Sequence, residues 1–505
     1  MDKLSAKIVN KPVRPERVLQ FGEGVFLRAF ADEMIDKLNE RGLFDGSIVI
    51  VPPTPRGSAE ALNSQDCLYT VLLRGLDGGT PKREVRVVAS VSRAVNAYTD
   101  FGDYIACARN PDLQIIISNT TEAGIEYDAG AQPGDRPQRG FPAKIAAFLY
   151  ERFRYFNGDV KRGLAVIPCE LIEKNGALLK SIALRHAREW NYGMEFETWV
   201  NAACVFADTL VDRIVSGYPA EEADALFTEF GYEDALLDTG ELYHLWAIRA
   251  DAGAVNIQEL LPFHKAGLNV IYTDDVELYG TRKVRLLNGA HTALAACAGR
   301  GGFDFVREAA ADPLYGKFLR ILLYEEIPAA LNIGSGGAEL KSFADSVLER
   351  FASPFIEHKL SGIMLNASFK FKVRLLPSIS EYYGRTNGLP ELLCFSFAAL
   401  IAYYRNDGTA GAADVRDAED VLEFFRAQWA LIGQKTPDGQ STPDGNNSPD
   451  RVYSTVRRVL GQAGIWGSDL NVIPGLAEKV AAHLENILNL GIAGALRAAL
   501  VTVHT

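Results

Sequence analysis

Short apolar runs and amphipathic stretches take turns along the first half of the chain. Val18 to Phe21 is mostly apolar and ends at Gly22; behind it Phe26, Ala29, Phe30, Met34, Ile35 and Leu38 recur at helical spacing. Ser47 to Val51 (SIVIV) is another such run, closed by Pro52 and Pro53, and Leu113 to Ser118 (LQIIIS) repeats the pattern. Val85 to Val91 adds a β-branched-rich run, Ala143 to Phe156 an amphipathic helix, and Gly163 to Ile167 a further strand. Strands alternating with helices predict βαβ units and a parallel sheet, an α/β fold. From about residue 282 long helical patterns dominate, as in Phe318 to Tyr324, Leu340 to Phe351, Leu392 to Tyr404, Ala418 to Leu431 and Leu476 to Leu488. The expected division is therefore residues 1–281, the α/β part with additions, and residues 282–505, a mostly α-helical C-terminal domain. Thr436 to Asp450 contains TPDG twice and reads as an exposed, mobile loop.

Composition narrows the function. The 505 residues are 48% hydrophobic and 23% charged, which excludes a disordered or fibrous chain. Fifty-two Lys and Arg against 64 Asp and Glu give a net charge of −12. Without a basic run there is no electrostatic footprint for nucleic acid or an anionic membrane, so a small-molecule substrate is expected. The six cysteines form no C-x-x-C and the seven histidines no H-E-x-x-H, so no local metal site is expected. Met1 to Ser5 runs into polar sequence, and Leu392 to Tyr404 is too short to span a bilayer. These features point to a cytoplasmic protein. Oligomeric state stays open, a monomer being compatible with everything above.

The first strand, then Gly22-Glu23-Gly24-Val25-Phe26, then a helix, has the layout of a Rossmann-type dinucleotide-binding turn. There Phe21, Gly22, Gly24, Val25 and Phe26 would let backbone amides approach a pyrophosphate at a helix N-terminus, with Arg28 adding a cation. The third glycine is absent, position 27 being Leu, and an ordinary tight turn is the alternative. No carboxylate ends the second strand, where Arg56 stands instead, so NAD and NADP both remain open on these grounds. Asn119, Thr120, Thr121 and Glu122 follow the Leu113–Ser118 strand, at the end where open α/β sheets bind ligands.

One helical run carries a second set of polar groups. Lys283, His291 and Asn288 fall at about 0°, 80° and 140° around an α-helix, interleaved with Leu287, Leu294 and Val284. Burial favours a lysine's neutral form, which suits a general acid/base. Lys283 would exchange a proton with a carbonyl oxygen, Asn288 would donate to the developing oxyanion, and His291 would orient the substrate. A snorkelling lysine, a capping asparagine and a core histidine form the plainer alternative.

Together these segments resemble the polyol-specific long-chain dehydrogenases/reductases, the mannitol dehydrogenase family. The family's K-x-x-x-x-N-x-x-H is matched by Lys283, Asn288 and His291, and its G-x-G-x-F-x-R by Gly22, Gly24, Phe26 and Arg28. The likeness is strongest to hexuronate-acting members, through QFGEGVFLRAF, SNTTEAGIEY, FPAK, IPCELIEKNG, TLVDRIVSGYP and KVRLLNGAHTAL. The resemblance implies NAD as cofactor and a metal-independent hydride transfer to a sugar or polyol. It also implies a site between the two domains, with Lys283 as the catalytic acid/base. Where mannitol dehydrogenases have C-D-N this chain has Cys169-Glu170-Leu171, and Leu171 cannot donate. Asn175 is the candidate substitute, a single-donor site the other option. Asp212 and Arg213 match a family motif and are expected near the site, and Lys370 matches a family lysine. A hexuronate carboxylate calls for a cation, and Arg374 in the alternating segment Phe369 to Arg374 is the candidate; a solvated strand face is the alternative reading of that segment. Sister activities on other ketoses, and a catalytically silent sensor on the same fold, are the competing functions.

Overall fold

The computed structural model describes residues 1–57, 59–120, 122–250, 253–331, 337–405, 415–432 and 449–503. The chain divides into two units, residues 1–75 with 80–280, and 76–79 with 281–505.

The first unit is built on a six-stranded sheet in which every neighbouring pair is parallel. Across it run Val91–Ala94, Ser47–Val51, Glu16–Phe21, Ile115–Ser118, Ala165–Pro168 and Val205–Phe206. Counted along the chain this is the order 3-2-1-4-5-6 of the Rossmann fold, whose direction reverses between the first and fourth strands. The wholly apolar runs follow from burial on both faces. Val18, Ile48, Ile50, Ile115 and Ile117 belong to one core cluster, and Leu19, Val49, Val51, Ile116 and Val166 to the cluster on the other face. Each such side chain contributes about 1.5–3 kcal/mol by leaving water. The helix Phe141–Tyr155 covers one face, its Ile145, Phe148 and Leu149 buried in that second cluster.

Two smaller sheets complete this unit and were not foreseen. One joins Val215–Gly217, Asp238–Glu241, Tyr69–Asp77 and Thr80–Val88; the other joins Val270–Thr273, Leu245–Arg249 and Thr209–Asp212. The β-branched run Val85 to Val91 is accordingly two strands, since Thr80–Val88 ends in the four-stranded sheet before Val91–Ala94 joins the parallel one.

The second unit is helical around one apolar core. Glu391–Tyr403 is buried along nearly its whole length, and Leu476–Thr502 packs on it, with Val480, Leu484 and Ile487 buried in the same core. That last helix is long and apolar enough to cross a membrane by composition, but it is broken at Gly491 (φ 69°) and carries Lys479 and His483, which pair with Glu391. Residues 436–448 of the loop expected at Thr436 to Asp450 lie outside the described residues, while Pro449 and Asp450 open the helix Pro449–Leu460.

Candidate active site

The glycine turn sits where the sheet order reverses. Gly22 has φ +128°, a conformation other residues adopt only with strain, and a Cβ there would lie 2.9 Å from the Asn119 carbonyl oxygen. Its amide donates to Val51 O (3.1 Å), and Asn119 N donates to Phe21 O (3.0 Å). The ends of three neighbouring strands are thereby drawn together. Gly24 differs: its φ is −66°, it precedes the helix Val25–Leu27, and a Cβ there would meet nothing within 4 Å. The space in front of this helix-entry glycine, beside the switch point, is open. Val25 is partly exposed beyond it, while Phe26 stacks on Phe30 with ring centroids 4.9 Å apart.

Residues that sequence reasoning missed hold this turn in place. Buried Gln20 donates to Gly22 O (3.0 Å) and to Asp32 Oδ2 (3.3 Å), and Tyr69 Oη donates to the same oxygen (2.6 Å). Desolvation raises the Asp32 carboxyl to about 7 despite those donors. At the fourth strand's end Glu170 accepts from Ser118 Oγ (3.0 Å) and from both Thr120 N and Thr120 Oγ1 (2.9 Å each). Asn119 Nδ2 donates to Cys169 O (2.8 Å). A polar residue near or just past the end of an apolar strand, as Gln20 and Glu170 are, is the signal the sequence offers. Glu122 begins the short turn Glu122–Gly124, and Thr121 lies outside the described residues. Arg56 is exposed beyond the second strand.

Three expected site residues of this unit serve the fold instead. Arg28 is buried, its guanidinium on the Leu236 carbonyl, 3.8 Å from Asp238 and over the Tyr69 ring; it turns inward rather than toward the glycines. Arg213 is buried as well. It donates to Ala29 O (2.6 Å), pairs with Glu33 (3.5 Å) and reaches the carbonyls of Tyr243 and Leu242. Asn175 is fully buried, and its two amide hydrogens face the oxygens of Pro168, Glu170 and Thr209 while its Oδ1 accepts from Gly176 N and Thr209 N. With two donors already committed it has none for a substrate oxyanion. Asp212 is buried at the end of Thr209–Asp212, and Leu171 is exposed.

The Lys–Asn–His segment is not a regular α-helix. Lys283–Asn288 is a π-helical turn, continued by the α-helix Gly289–Ala298. The Gly289 amide donates to Val284 O, five residues back. An α-helix leaves residues five apart on diverging faces, whereas i→i+5 bonding stacks them about one turn apart. The π turn thus brings the half-buried Lys283 and Asn288 onto a common face, which a regular wheel does not. Gly289 admits the neighbouring helix, since a Cβ there would lie 3.2 Å from Leu375 Cδ2. The Asn288 side-chain amide makes no hydrogen bond among the described residues.

His291 lies one turn on. Its ring stacks on Phe351 (4.0 Å between centroids, 15° apart in plane) and meets His358 edge-on at 4.5 Å. Burial holds it well below the ordinary imidazole range, helped by His358, Arg350 and Arg374, which favours the neutral ring. Arg374 donates to Thr292 Oγ1 (3.1 Å), and Thr292 Oγ1 donates to Asn288 O (2.8 Å). The segment Phe369 to Arg374, which alternates like a strand, lies within the helix Ala367–Arg374; Lys370 and Arg374 are four residues apart on it and share a face. Lys370 Nζ donates to Ile363 O (2.8 Å). The cysteines are all buried and unpaired. Among the described residues no three His, Cys, Asp or Glu side chains converge as metal ligands.

Residues 16–259 match the mannitol dehydrogenase Rossmann domain, and residues 275–488 the mannitol dehydrogenase C-terminal domain. The chain belongs to the mannitol dehydrogenase family. Like that family it is a dehydrogenase/reductase acting on CH–OH groups. The altronate oxidoreductase of Pectobacterium atrosepticum is 42% identical over 488 residues, 95% of this chain and 96% of that one. The altronate oxidoreductase of Bacillus subtilis is 41% identical over 497 residues, 98% of each. The solved Pseudomonas fluorescens mannitol 2-dehydrogenase, a ternary complex with NAD and D-mannitol, shares the fold at TM-score 0.64 and 22% identity, over 99% of this chain and 96% of that one.

Proposed function

We propose that this mannitol dehydrogenase family member interconverts D-tagaturonate and D-altronate with NAD and without a metal, Lys283 being the acid/base. The observation that carries the chemistry is the π turn, which sets an ammonium and an unengaged amide on one helix face ahead of a neutral imidazole. Full-length likeness to altronate oxidoreductases supports the substrate, and the open space at Gly24 supports a dinucleotide. Gly22, Gly24, Val25 and the strand-end residues Asn119 and Thr120 are the groups that would hold it. When bound, the reduced dinucleotide supplies a hydride to the substrate carbonyl carbon.

The chain's own residues handle the oxygen. In reduction the Lys283 ammonium gives a proton to the carbonyl oxygen; in oxidation its amine takes the hydroxyl proton. Asn288 donates an N–H to that oxygen as negative charge develops on it. A neutral His291 keeps one ring nitrogen as donor and one as acceptor, and so orients the oxygen without adding a charge. Arg374 meets the substrate carboxylate beside Thr292, with Lys370 on the same face.

The test is NADH consumption with tagaturonate, fructuronate and fructose in parallel, repeated with NADPH and with EDTA. EDTA-insensitive oxidation of NADH by tagaturonate is the expected result. Preference for fructuronate or fructose would replace the substrate and keep the reaction type, EDTA inhibition would remove the metal-free mechanism, and silence on all three would favour the sensor. Arg374→Ala should raise KM for tagaturonate far more than for fructose; equal effects would remove the carboxylate assignment.

A further inference from the structure

Cations act on His291 from two helices, while the segment bearing Asp304 and Glu308 is hydrogen-bonded to the backbone at His358. The helix Gly337–Ala352 brings Phe351 under the ring, and its Arg350 disfavours the charged imidazole. Helix Ala367–Arg374 brings Arg374, fixed on Thr292, and Lys370. The segment between those helices brings His358, edge-on to His291 at 4.5 Å. Among the described residues the charged or titratable groups acting on His291 are His358, Arg350 and Arg374, and those acting on His358 are Arg350 and Lys370. Asp417 acts on Lys370, but Tyr404 Oη and the Ser368 amide already hold its carboxylate. Neither imidazole has a hydrogen bond to a side chain among the described residues. His291 is 7% exposed and His358 half-buried, so His358 is the more open of the two rings.

Two imidazoles held below their ordinary range, with Arg350, Arg374 and Lys370 acting on them, make a setting that favours an anion. Burial first, and the neighbouring cations after it, hold both rings below the ordinary imidazole range, and a carboxylate seated there would favour the imidazolium. We propose that His358 is a specificity residue for the substrate carboxylate, taking up a proton as the anion binds and pairing with it. This rests on the hexuronate reading above. The proton comes from solvent and returns to it on release; no covalent bond to the substrate is made.

The sign follows directly. Burial holds the free His358 below the ordinary imidazole range, and the bound carboxylate raises it. Between those two values binding takes up a proton, so hexuronate affinity falls as pH rises. An uncharged ketose has no such partner, and the ratio of the two KM values cancels groups that act on both substrates. In the wild-type enzyme the ratio of KM for tagaturonate to KM for fructose should rise about tenfold from about pH 6 to about pH 8. In His358→Gln, whose amide cannot take the proton, the ratio should be flat with pH and about tenfold higher at the acid end. A pH-dependent ratio unchanged in His358→Gln overturns the proposal. So does a flat wild-type ratio alongside a clear tagaturonate preference, a result that needs no variant to fold. No preference for tagaturonate at any pH would instead remove the hexuronate reading itself.

Discussion

A single methyl group separates a structural glycine from one that faces a ligand. At Gly24 the backbone is in an ordinary conformation and a Cβ would meet nothing within 4 Å, so Gly24→Ala should fold as the wild type does. The methyl would fill the space from which a phosphate oxygen must approach the turn's amides. Losing one hydrogen bond to a charged group costs about 1.5–3 kcal/mol, or about 10- to 100-fold in Kd. Gly22→Ala makes the contrast: its φ of +128° costs about 1–3 kcal/mol, and its Cβ would strike the Asn119 carbonyl. That variant should lose thermal stability as well as cofactor. Nucleotide fluorescence titration gives the Kd for NADH, and calorimetry gives Tm. Gly24→Ala with wild-type Tm and a Kd raised tenfold or more is the expected result. A wild-type Kd would refute the reasoning and move the phosphates away from this turn.

Two further outcomes concern groups that sequence reasoning misplaced or missed. Arg213→Met should destabilise the protein by about 1–3 kcal/mol, because the Ala29 carbonyl loses its buried donor while Glu33 keeps Lys37; a Tm unchanged on calorimetry would return Arg213 to the list of ligand-facing residues. Asp32 is raised to about 7 by burial, so the folded state binds the extra proton between the ordinary carboxyl range and pH 7. Its contribution to stability is greatest in acid and is lost as pH rises to about 7. Asp32→Asn should therefore show a shallower fall of Tm between about pH 5 and about pH 7 than the wild type, and parallel curves would contradict this.

Much of the fold was legible where apolar runs are pure. Ser47–Val51 and Ile115–Ser118 read as buried strands because the sheet is covered on both faces, leaving no polar alternation to confuse the pattern. The smaller sheets were not legible. Asp238–Glu241 pairs with Tyr69–Asp77 across a long stretch of chain, and short mixed strands carry little periodicity to announce such a partner. Phe369 to Arg374 alternates like a strand yet forms a helix, its Phe371 buried and Phe369 exposed. At the site, the residue types of Lys283, Asn288 and His291 were readable and their geometry was not, since a wheel of 3.6 residues per turn has no place for a π turn. Arg28 and Arg213 were drawn toward a ligand by their charge; the carboxylates beside them, Asp238 and Glu33, lie far away in sequence and only folding reveals them.

The central claim is that Lys283 moves the proton. Lys283→Met keeps the length of the side chain and removes its exchangeable proton. Its kcat for tagaturonate reduction, measured alongside the Kd for NADH, decides the matter. A fall in kcat of about 10²–10⁴ with NADH affinity retained, partly restored by an added primary amine, is the result expected. Turnover near the wild-type level would contradict the account and send the search for the acid/base elsewhere on the helix.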